Sequence, residues 1–214
     1  MTLIQALNRL HALLEGDTNT PTTGDDYNLR IAMLNDAQEE WAGQTDTRWR
    51  ELFTTDTTQT GDGTTKRFDL PTDFKALNGS VVLYDSVHDA YTQIGTIGVG
   101  LSPYYDTHDA LTAWIEGSEL VFNTAPEDDA VIHIPYYRQP DALENDSDVL
   151  PMSDPRYAIY YALARLVEQS GDFTRYNTNM QKAEDLLLQM KVNNETLGEG
   201  VANPVPTLGA GFGD

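Results

Sequence analysis

Cysteine is absent from this sequence of 214 residues, which excludes disulfides, thiolate nucleophiles and cysteine-ligated metal sites. No apolar run approaches the ~20 residues that a transmembrane helix requires, so no membrane span is expected. Lysine is scarce, since four lysines accompany nine arginines, and the two types form no cluster of the kind that binds DNA phosphates. The segment MTLIQALNRLHALLEGD lacks a basic region and a small-residue cleavage site, so it predicts an amphipathic helix rather than a secretion signal.

Acidic residues dominate the charge balance. The 22 Asp and 12 Glu outweigh the 13 basic residues, which gives a formal net charge of −21, and threonine occurs 24 times. Repulsion among these charges destabilises a compact fold at low ionic strength, whereas in molar salt the Debye length falls to about 3 Å and most of the repulsion disappears. Enrichment in Asp and Thr with few Lys resembles the composition of haloarchaeal proteins; an ordinary acidic protein is the alternative.

Apolar residues repeat at helical spacing at both ends of the sequence. Helices are predicted over residues 2–15 and 26–43, with a short helical continuation over residues 47–53. Residues 54–65 (TTDTTQTGDGTT) are polar and contain glycine, so they predict a loop. Two further helices are predicted after Pro155, separated by a Ser-Gly-Asp break. The apolar stripe of the second consists of Met180, Ala183, Leu187 and Met190, widened by Leu186 and Leu188.

Between the helical regions the apolar period changes to two, which is typical of strands. The predicted strands cover residues 66–70, 80–84, 90–97, 111–115 and 131–138. A hairpin is predicted over residues 114–122, with Gly117 and Ser118 at its turn. Pro135 has no N–H to donate, so it predicts that the last strand lies at an edge of the sheet or contains a bulge.

These patterns predict an α+β fold, in which a helical body contains an inserted small antiparallel β-sandwich or barrel. The predicted segments are N-terminal helices at 1–55, a β region at 56–140, C-terminal helices at 141–197 that pack on the first segment, and an extended arm at 198–214. Glycine and proline in the arm disfavour a helix. Docking of the arm on a partner is expected, with a flexible tail as the alternative, because it carries the spaced apolar side chains Val201, Val205, Leu208 and Phe212.

The candidate catalytic and metal-binding groups form no recognisable site. His88 and His108 stand beside aspartates in the similar phrases SVHDA and DTHDA, but a metal site needs more convergent ligands, so we interpret both as surface turns. His133 fits a half-buried position in a strand. Glu39 and Glu40 point about 100° apart on a helix and cannot flank one bond together. The sequence therefore predicts no catalytic residue, no metal ligand and no cofactor.

Two stretches of the sequence resemble a known family of viral proteins. Residues 143–197 combine an Asp-rich loop, the pairs Leu150-Pro151 and Asp154-Pro155, an apolar helix, a Ser-Gly-Asp break and a long amphipathic helix. A strand ending in YYRQP precedes them, and residues 68–82 (FDLPTDFKALNGSVV) read as a strand, LPxDF and a second strand. Both stretches resemble the head-to-tail adaptor (connector or neck) proteins of tailed double-stranded DNA viruses. The acidic composition points to a virus that infects a haloarchaeon.

The resemblance implies a structural virion protein rather than an enzyme. Such a protein forms a ring, with twelve copies matching the usual portal symmetry, which joins the portal to the next neck or tail protein. The ring extends the DNA channel, and DNA passes through its lumen without specific binding. Assembly in the host cytoplasm, no membrane partner and no cofactor are implied as well.

The contacts of such a ring are expected from aromatic residues and from the arm. Tyrosine is enriched at protein interfaces, and the charge disfavours base stacking. The helical regions are expected to form the subunit interface, and the arm is expected to reach the portal or an adjacent subunit. The candidate interface residues are Trp41, Trp49, Tyr157, Tyr160 and Tyr161. Two alternatives stay open: another tail component, such as a tube terminator or receptor-binding module, and a cell-envelope hydrolase of the neck.

Overall fold

Helices lie at both ends of the chain and strands lie between them in the computed structural model, which describes residues 1–102 and 110–198. The described residues form four α-helices: α1 (Leu3–Glu15), α2 (Asp25–Ala42), α3 (Arg156–Gln169) and α4 (Phe173–Gly198). They also form eight strands: β1 (Phe53–Thr60), β2 (Arg67–Asp69), β3 (Phe74–Leu77), β4 (Val81–Asp85), β5 (Ala90–Thr96), β6 (Thr112–Glu116), β7 (Glu119–Phe122) and β8 (Val131–Arg138). This order confirms the predicted α+β class.

The chain divides into two compact units. The terminal unit combines Met1–Ala37 with Asn145–Asp214, and the β unit is Gln38–Glu144. In the terminal unit, helices from both ends of the chain share a core, because α1 packs against α3 and α3 packs against α4. The segment boundaries predicted from the sequence, at residues 55, 140 and 197, stay predictions.

The loop before α3 fixes the start of α1. Gln5 Oε1 accepts the backbone N–H of Thr2 at 3.1 Å, as in a capping box. The backbone N–H of Leu3 donates to the Asp148 carbonyl at 2.7 Å, which ties the first turn to the 145–150 loop. Leu3, Leu7 and Leu10 are buried on one face of this helix, and Leu14 on the same face is half-buried. Burial of these side chains supplies the apolar contact that an isolated helix of this length lacks.

The last two helices are joined by residues 170–172 and pack against each other. At the start of α3, Asp154 Oδ1 accepts the backbone N–H of Arg156 at 3.0 Å, as a capping side chain does. The buried residues of α4 recur every three or four positions and are Asn179, Ala183, Leu186 and Met190. Of the predicted stripe, Ala183, Leu186 and Met190 are buried, Met180 and Leu187 are half-buried, and Leu188 is 63% exposed.

All eight strands belong to one nearly closed, barrel-like sheet in the β unit. Its order is β1-β8-β4-β5-β6-β7-β2, and β3 also pairs with β8. The side-chain amide of Gln59 in β1 donates to the Asp69 carbonyl in β2, so the two ends of the sheet meet. The interior is apolar and consists of Phe68, Val81, Leu83, Ile94, Ala113, Leu120, Phe122, Ile132 and Ile134. The predicted 114–122 hairpin is confirmed as β6 and β7, with Gly117 at its turn.

One strand pair departs from the antiparallel arrangement that the sequence predicts. β5 and β6 are parallel, with Gly95 opposite Thr112 and Thr96 opposite Ala113. Parallel neighbours need a crossover connection, and the residues between these two strands are numerous enough to provide one. The remaining pairs among the described strands are antiparallel. The prediction of a purely antiparallel sheet is therefore wrong at this pair.

Residues 54–65 do not form the predicted loop, because most of them belong to β1. The side chains of β1 are exposed or half-buried, so the strand is held by its backbone pairing with β8 rather than by burial. Five of its eight residues are threonine, whose β-branched side chain favours an extended backbone. Because polar residues occupy both faces of β1, its sequence lacks the alternation of apolar and polar residues that indicates a strand. The helical continuation predicted over 47–53 is also wrong, since only Arg50–Leu52 form a short 3-10 helix.

β8 is a central strand and not an edge strand, and the predicted alternative of a bulge is met only by register shifts in its pairings with β1 and β3, where the extra residue lies on the partner strand. It pairs with β1 on one side and with β3 and β4 on the other. The Pro135 carbonyl accepts the N–H of Asn78 at 2.8 Å, in the connection between β3 and β4. The N and C=O of one strand residue point to the same side of the strand, so the missing donor of Pro135 also faces this connection. A proline is tolerated here because it removes no hydrogen bond between strands.

The close approach at Gly61 provides a test of how the end of β1 packs. A Cβ at this position would meet the Glu127 carbonyl oxygen and would lie 3.0 Å from Pro126 Cβ. We expect Gly61→Ala to lower the free energy of unfolding by about 1–3 kcal/mol, the usual cost of overpacking, as measured by urea titration. Gly95→Ala is the matched control, because nothing lies within 4 Å of an added Cβ there. Equal losses in the two variants would contradict the packing described.

Candidate interaction surfaces

Trp41 and Trp49 are buried residues of the β unit. Trp41 is fully buried near the end of α2, and Trp49 is 2% exposed just before the 3-10 helix. Their rings stack with centroids 4.9 Å apart, and Trp49 Nε1 donates to the Trp41 carbonyl at 2.7 Å. An indole without exposed area adds no contact area of its own. The pair can contribute to an interface only by fixing the turn of residues 43–48. The assignment of Trp41 and Trp49 to a subunit interface stays a prediction.

The three candidate tyrosines of α3 differ in exposure. Tyr157 and Tyr161 are buried, with ring centroids 5.9 Å apart. Tyr160 is half-buried, and the Lys182 ammonium lies 5.2 Å from its ring centre. A cation over a tyrosine face is attracted by the ring quadrupole. Tyr160 is therefore the member of the set that keeps surface for a partner. The arm residues Val201, Val205, Leu208 and Phe212 lie outside the described residues.

A positively charged pocket lies on the β unit. Its volume is about 230 Å³, and Arg48, Trp49, Lys75 and Tyr137 are among its lining residues. Lys75 Nζ donates to the Ala42 carbonyl at the end of α2, and burial lowers the pKa of Lys75. The Arg48 guanidinium lies 6.0 Å from the centre of the Tyr137 ring. We call this cavity the basic pocket.

An exposed aromatic side chain extends the surface around the basic pocket. Phe53 is 45% exposed, and its ring meets the Tyr137 ring edge to face at 6.0 Å. Arg50 adds a third basic side chain in the same segment as Arg48. This surface is not apparent from the sequence, because residue 75 and residue 137 join it only through the pairing of β3 with β8. The local signal was the phrase RWRELF at residues 48–53.

A second surface lies on α4, on the side opposite its buried residues. Leu188 and Val192 are 63% and 52% exposed, and their spacing places them on the same helix face. Acidic side chains flank them at Glu184, Asp185 and Glu195, all of which are exposed. We call these two aliphatic residues the apolar ridge. Single exposed apolar residues are common on proteins, but this pair forms a continuous patch on one face.

The three histidines in the part of the chain that the structure describes are accounted for by local hydrogen bonds and packing. His11 is buried, Arg30 Nη1 donates to its Nδ1, and Asp17 Oδ1 lies 2.6 Å from its Nε2. Arginine only donates, so Nδ1 must accept, and the ring proton lies on Nε2 and is donated to Asp17. His133 is half-buried beside the rings of Tyr84 and Tyr91, as the sequence predicts for a strand position. His108 lies outside the described residues.

His88 and Asp85 form an exposed pair at the turn between β4 and β5. Asp85 Oδ2 lies 2.5 Å from His88 Nδ1. This hydrogen bond raises the pKa of His88 and lowers the pKa of Asp85. The turn supports the interpretation of His88 as a surface residue.

The described residues contain no arrangement that suggests metal or membrane chemistry. Across 1–102 and 110–198, no group of three or more His, Cys, Asp and Glu side chains is placed to hold a metal ion. Within the same ranges, no helix combines the length and apolar character needed to cross a bilayer. The carboxylate of Asp62 accepts hydrogen bonds from Thr64 and Thr65, which keep its pKa well below the ordinary value. These contacts are those of a turn.

The exposed pair at the β4–β5 turn gives a titration test. Asp85→Asn removes the carboxylate that raises the pKa of His88, so we expect that pKa to fall toward the ordinary histidine value. The raised pKa means that the pair stabilises the fold below the unfolded pKa and that this contribution is lost as pH rises through the folded pKa. NMR titration of the His88 ring measures the shift, with Asp69→Asn as a control for removal of a charge elsewhere. An unchanged His88 titration in Asp85→Asn would contradict the pairing.

Comparison with known proteins identifies the family. A family model described as SU10 adaptor protein matches residues 1–202, a span that includes every helix and strand described above. Among curated proteins, no match to the sequence is found. The family match confirms the resemblance to adaptor proteins that the sequence suggested. Because the match covers far more than half of its length, this chain belongs to the SU10 adaptor protein family.

Proposed function

We propose that this chain is a structural part of a tailed double-stranded DNA virus and joins the portal to the tail. The observation that carries the proposal is the match of the SU10 adaptor family to residues 1–202. The surface features of the described residues also favour a role in binding other proteins over a role in catalysis. They comprise a basic pocket with an exposed Phe53 beside it and an apolar ridge on α4.

In this proposal the protein acts as a ring of twelve copies. One side of the ring contacts the portal, the other contacts the next neck or tail protein, and DNA passes through the lumen. Each copy carries a net charge of −21, so the ring repels phosphate groups and DNA moves past without specific binding. Tyr160 on α3 and the apolar ridge on α4 offer contact area between proteins, and the two tryptophans fix the turn beside the basic pocket.

The arm at 198–214 supplies the contact with the portal or an adjacent copy. Its four apolar residues are separated by glycine, proline and small polar residues, a composition suited to an extended segment. An extended arm of this type gains affinity from a few buried side chains, and each fully buried aliphatic or aromatic side chain contributes about 1.5–3 kcal/mol.

The charge balance supports assembly in a saline cytoplasm, such as that of a haloarchaeal host. Repulsion between acidic subunits opposes ring formation at low ionic strength and is screened in molar salt. The excess of Asp and Thr over Lys is consistent with this environment. Association then depends on apolar and aromatic contacts, which salt does not weaken.

Salt dependence of stability tests the electrostatic part of this proposal. We expect the midpoint of thermal unfolding to rise by about 5 °C or more, equivalent to roughly 2 kcal/mol, when KCl is raised from about 0.1 M to about 2 M. Sucrose at matched osmolality is the control, since it is excluded from the protein surface without screening charge. A rise no larger in KCl than in sucrose would exclude charge repulsion as the cause.

Binding to the portal tests the adaptor role itself. The full chain is mixed with the portal protein of the same genome in molar KCl, and the mass of the complex is measured by light scattering. We expect a stoichiometric ring on the portal and a loss of affinity of about tenfold or more when residues 198–214 are deleted.

The matched control for the deletion keeps the length of the arm and changes its apolar residues to serine. These are Val201, Val205, Leu208 and Phe212. Loss of affinity in both variants assigns the contact to the apolar side chains, and a full chain that ignores the portal in molar salt would contradict the adaptor role.

A further inference from the structure

A cluster of three aromatic rings lies on the outer face of the sheet in the β unit. Tyr84 in β4 is directly opposite Tyr91 in β5, and their ring centroids are 4.7 Å apart. His133 in β8 meets both rings edge to face, with centroids 6.1 Å from Tyr84 and 6.0 Å from Tyr91. The buried residues Leu83 and Ile132 alternate with these rings along their strands and belong to the interior. We call Tyr84, Tyr91 and His133 the tyrosine platform.

The tyrosine platform is partly open to solvent. Tyr91 is 67% exposed, and Tyr84 and His133 are half-buried. The rings add nothing to the apolar interior, because they lie on the opposite face of the sheet. Tyrosine is enriched where proteins bind one another, since its ring supplies apolar area together with one polar group. The platform is therefore a surface suited to a partner.

A carboxylate lies beside the platform. Asp89 Oδ1 accepts a hydrogen bond from the Tyr84 hydroxyl at 3.2 Å, and the side chain of Asp89 is exposed. The other carboxylate of the turn, Asp85, is already bonded to His88 Nδ1, so Asp89 is the acidic group that is open to a partner. Residues 80–96 contain no lysine or arginine. The site thus combines aromatic rings with a negative charge.

Other tyrosines of the chain show which group completes an arrangement of this kind. The Arg165 guanidinium lies 5.3 Å from the centre of the Tyr161 ring, and the Lys182 ammonium lies 5.2 Å from that of Tyr160. The positive charge is attracted by the negative face of the ring quadrupole. In the part of the chain that the structure describes, no lysine or arginine lies over either tyrosine of the platform.

We infer that the tyrosine platform binds an arginine side chain of another protein of the neck, with the guanidinium against the Tyr91 ring and bonded to Asp89. Arginine fits better than lysine, because its planar guanidinium stacks on aromatic rings and presents paired N–H donors to a carboxylate. The net charge of −21 also favours a partner with a basic surface. This inference rests on the proposed function and identifies the chemistry of one contact with the portal or the next neck protein.

Salt affects this contact less than it affects a bare ion pair. Molar KCl screens the attraction between exposed charges. Stacking also buries the apolar face of the guanidinium against the ring, and salt does not weaken apolar contact. The platform can therefore bind its partner under the saline conditions in which repulsion between acidic chains is screened.

Titration with an arginine peptide tests the platform by itself. The full chain in about 1 M KCl is titrated with acetyl-Gly-Arg-Gly-amide, and the ring protons of Tyr84, Tyr91 and His133 are followed by NMR. The same peptide with citrulline is the matched control, since citrulline keeps the shape of arginine and carries no charge. We expect shifts at least about threefold larger with arginine than with citrulline. Equal shifts, or none with either peptide, would overturn the inference.

Three variants assign the shift, read at His133, to named groups. Tyr91→Leu removes the ring and should reduce the shift about threefold or more, whereas Tyr91→Phe keeps the quadrupole and should retain it. Asp89 has a φ of 50°, which asparagine also tolerates, so Asp89→Asn removes the charge and keeps the turn. It should reduce the shift, with Asp69→Asn as the control for loss of a charge elsewhere. A native shift in Tyr91→Leu would contradict the assignment.

Binding to neck proteins shows whether the platform acts in the virion. The portal and the next neck protein of the same genome are each mixed with the native chain, Tyr91→Phe and Tyr91→Leu in molar KCl, and affinities are measured by light scattering. We expect Tyr91→Leu to lose about threefold or more in affinity for one of the two proteins, and Tyr91→Phe to bind like the native chain. Loss of self-association in Tyr91→Leu, with neither protein present, would place the arginine on a second copy and overturn the assignment to another protein.

This inference and the adaptor function fail in different experiments. A native ring on the portal, with unchanged affinity of Tyr91→Leu for both neck proteins, would overturn the inference and leave the adaptor function in place. A native chain that ignores the portal would contradict the function, and the peptide titration would then decide by itself whether the platform binds arginine.

Discussion

Repulsion among acidic side chains is the constraint on which the rest of this structure depends. With 34 acidic and 13 basic residues, the chain must keep its charges at the surface and separated, and must hold its folded form through apolar contact. Each unit does so around a closed core. In the terminal unit, leucines of α1 meet α3, and in the β unit the interior of the sheet is apolar. The same repulsion restricts where a second acidic protein can approach.

Several basic residues form ion pairs or hydrogen bonds with side chains close to them. Arg30 is buried and bonded to His11 and Glu15, and Arg67 lies between Glu116 and Glu119 at 2.8 and 2.7 Å. The exposed Arg67 pairs contribute little individually, but they reduce repulsion where β2, β6 and β7 meet. The basic pocket brings Arg48 and Lys75 together with Tyr137 in an open cavity, which makes it a candidate for contact with a partner.

The sequence predicts the helices better than the sheet, for a physical reason. A helix buries side chains at a fixed spacing of its own, so α1 and the capped start of α3 are visible in the order of residues alone. β1 is held by hydrogen bonds to β8 and has no apolar face, so its threonine-rich sequence looks like a loop. The prediction from Pro135 fails for a related reason. Whether its missing N–H removes a hydrogen bond between strands depends on which neighbouring strand faces it, and the sequence does not show that. The basic pocket joins residues 48, 75 and 137 through strand pairing, which no local pattern encodes.

The chain belongs to the SU10 adaptor protein family. We propose from this that it links a portal to a tail. The most direct measurement of that claim is electron microscopy of particles produced by a virus from which this gene has been deleted. The account predicts DNA-filled or partly filled heads and separate tails that do not join, with joining restored when the gene is supplied in trans. Normal joined particles in the deletion virus would contradict it.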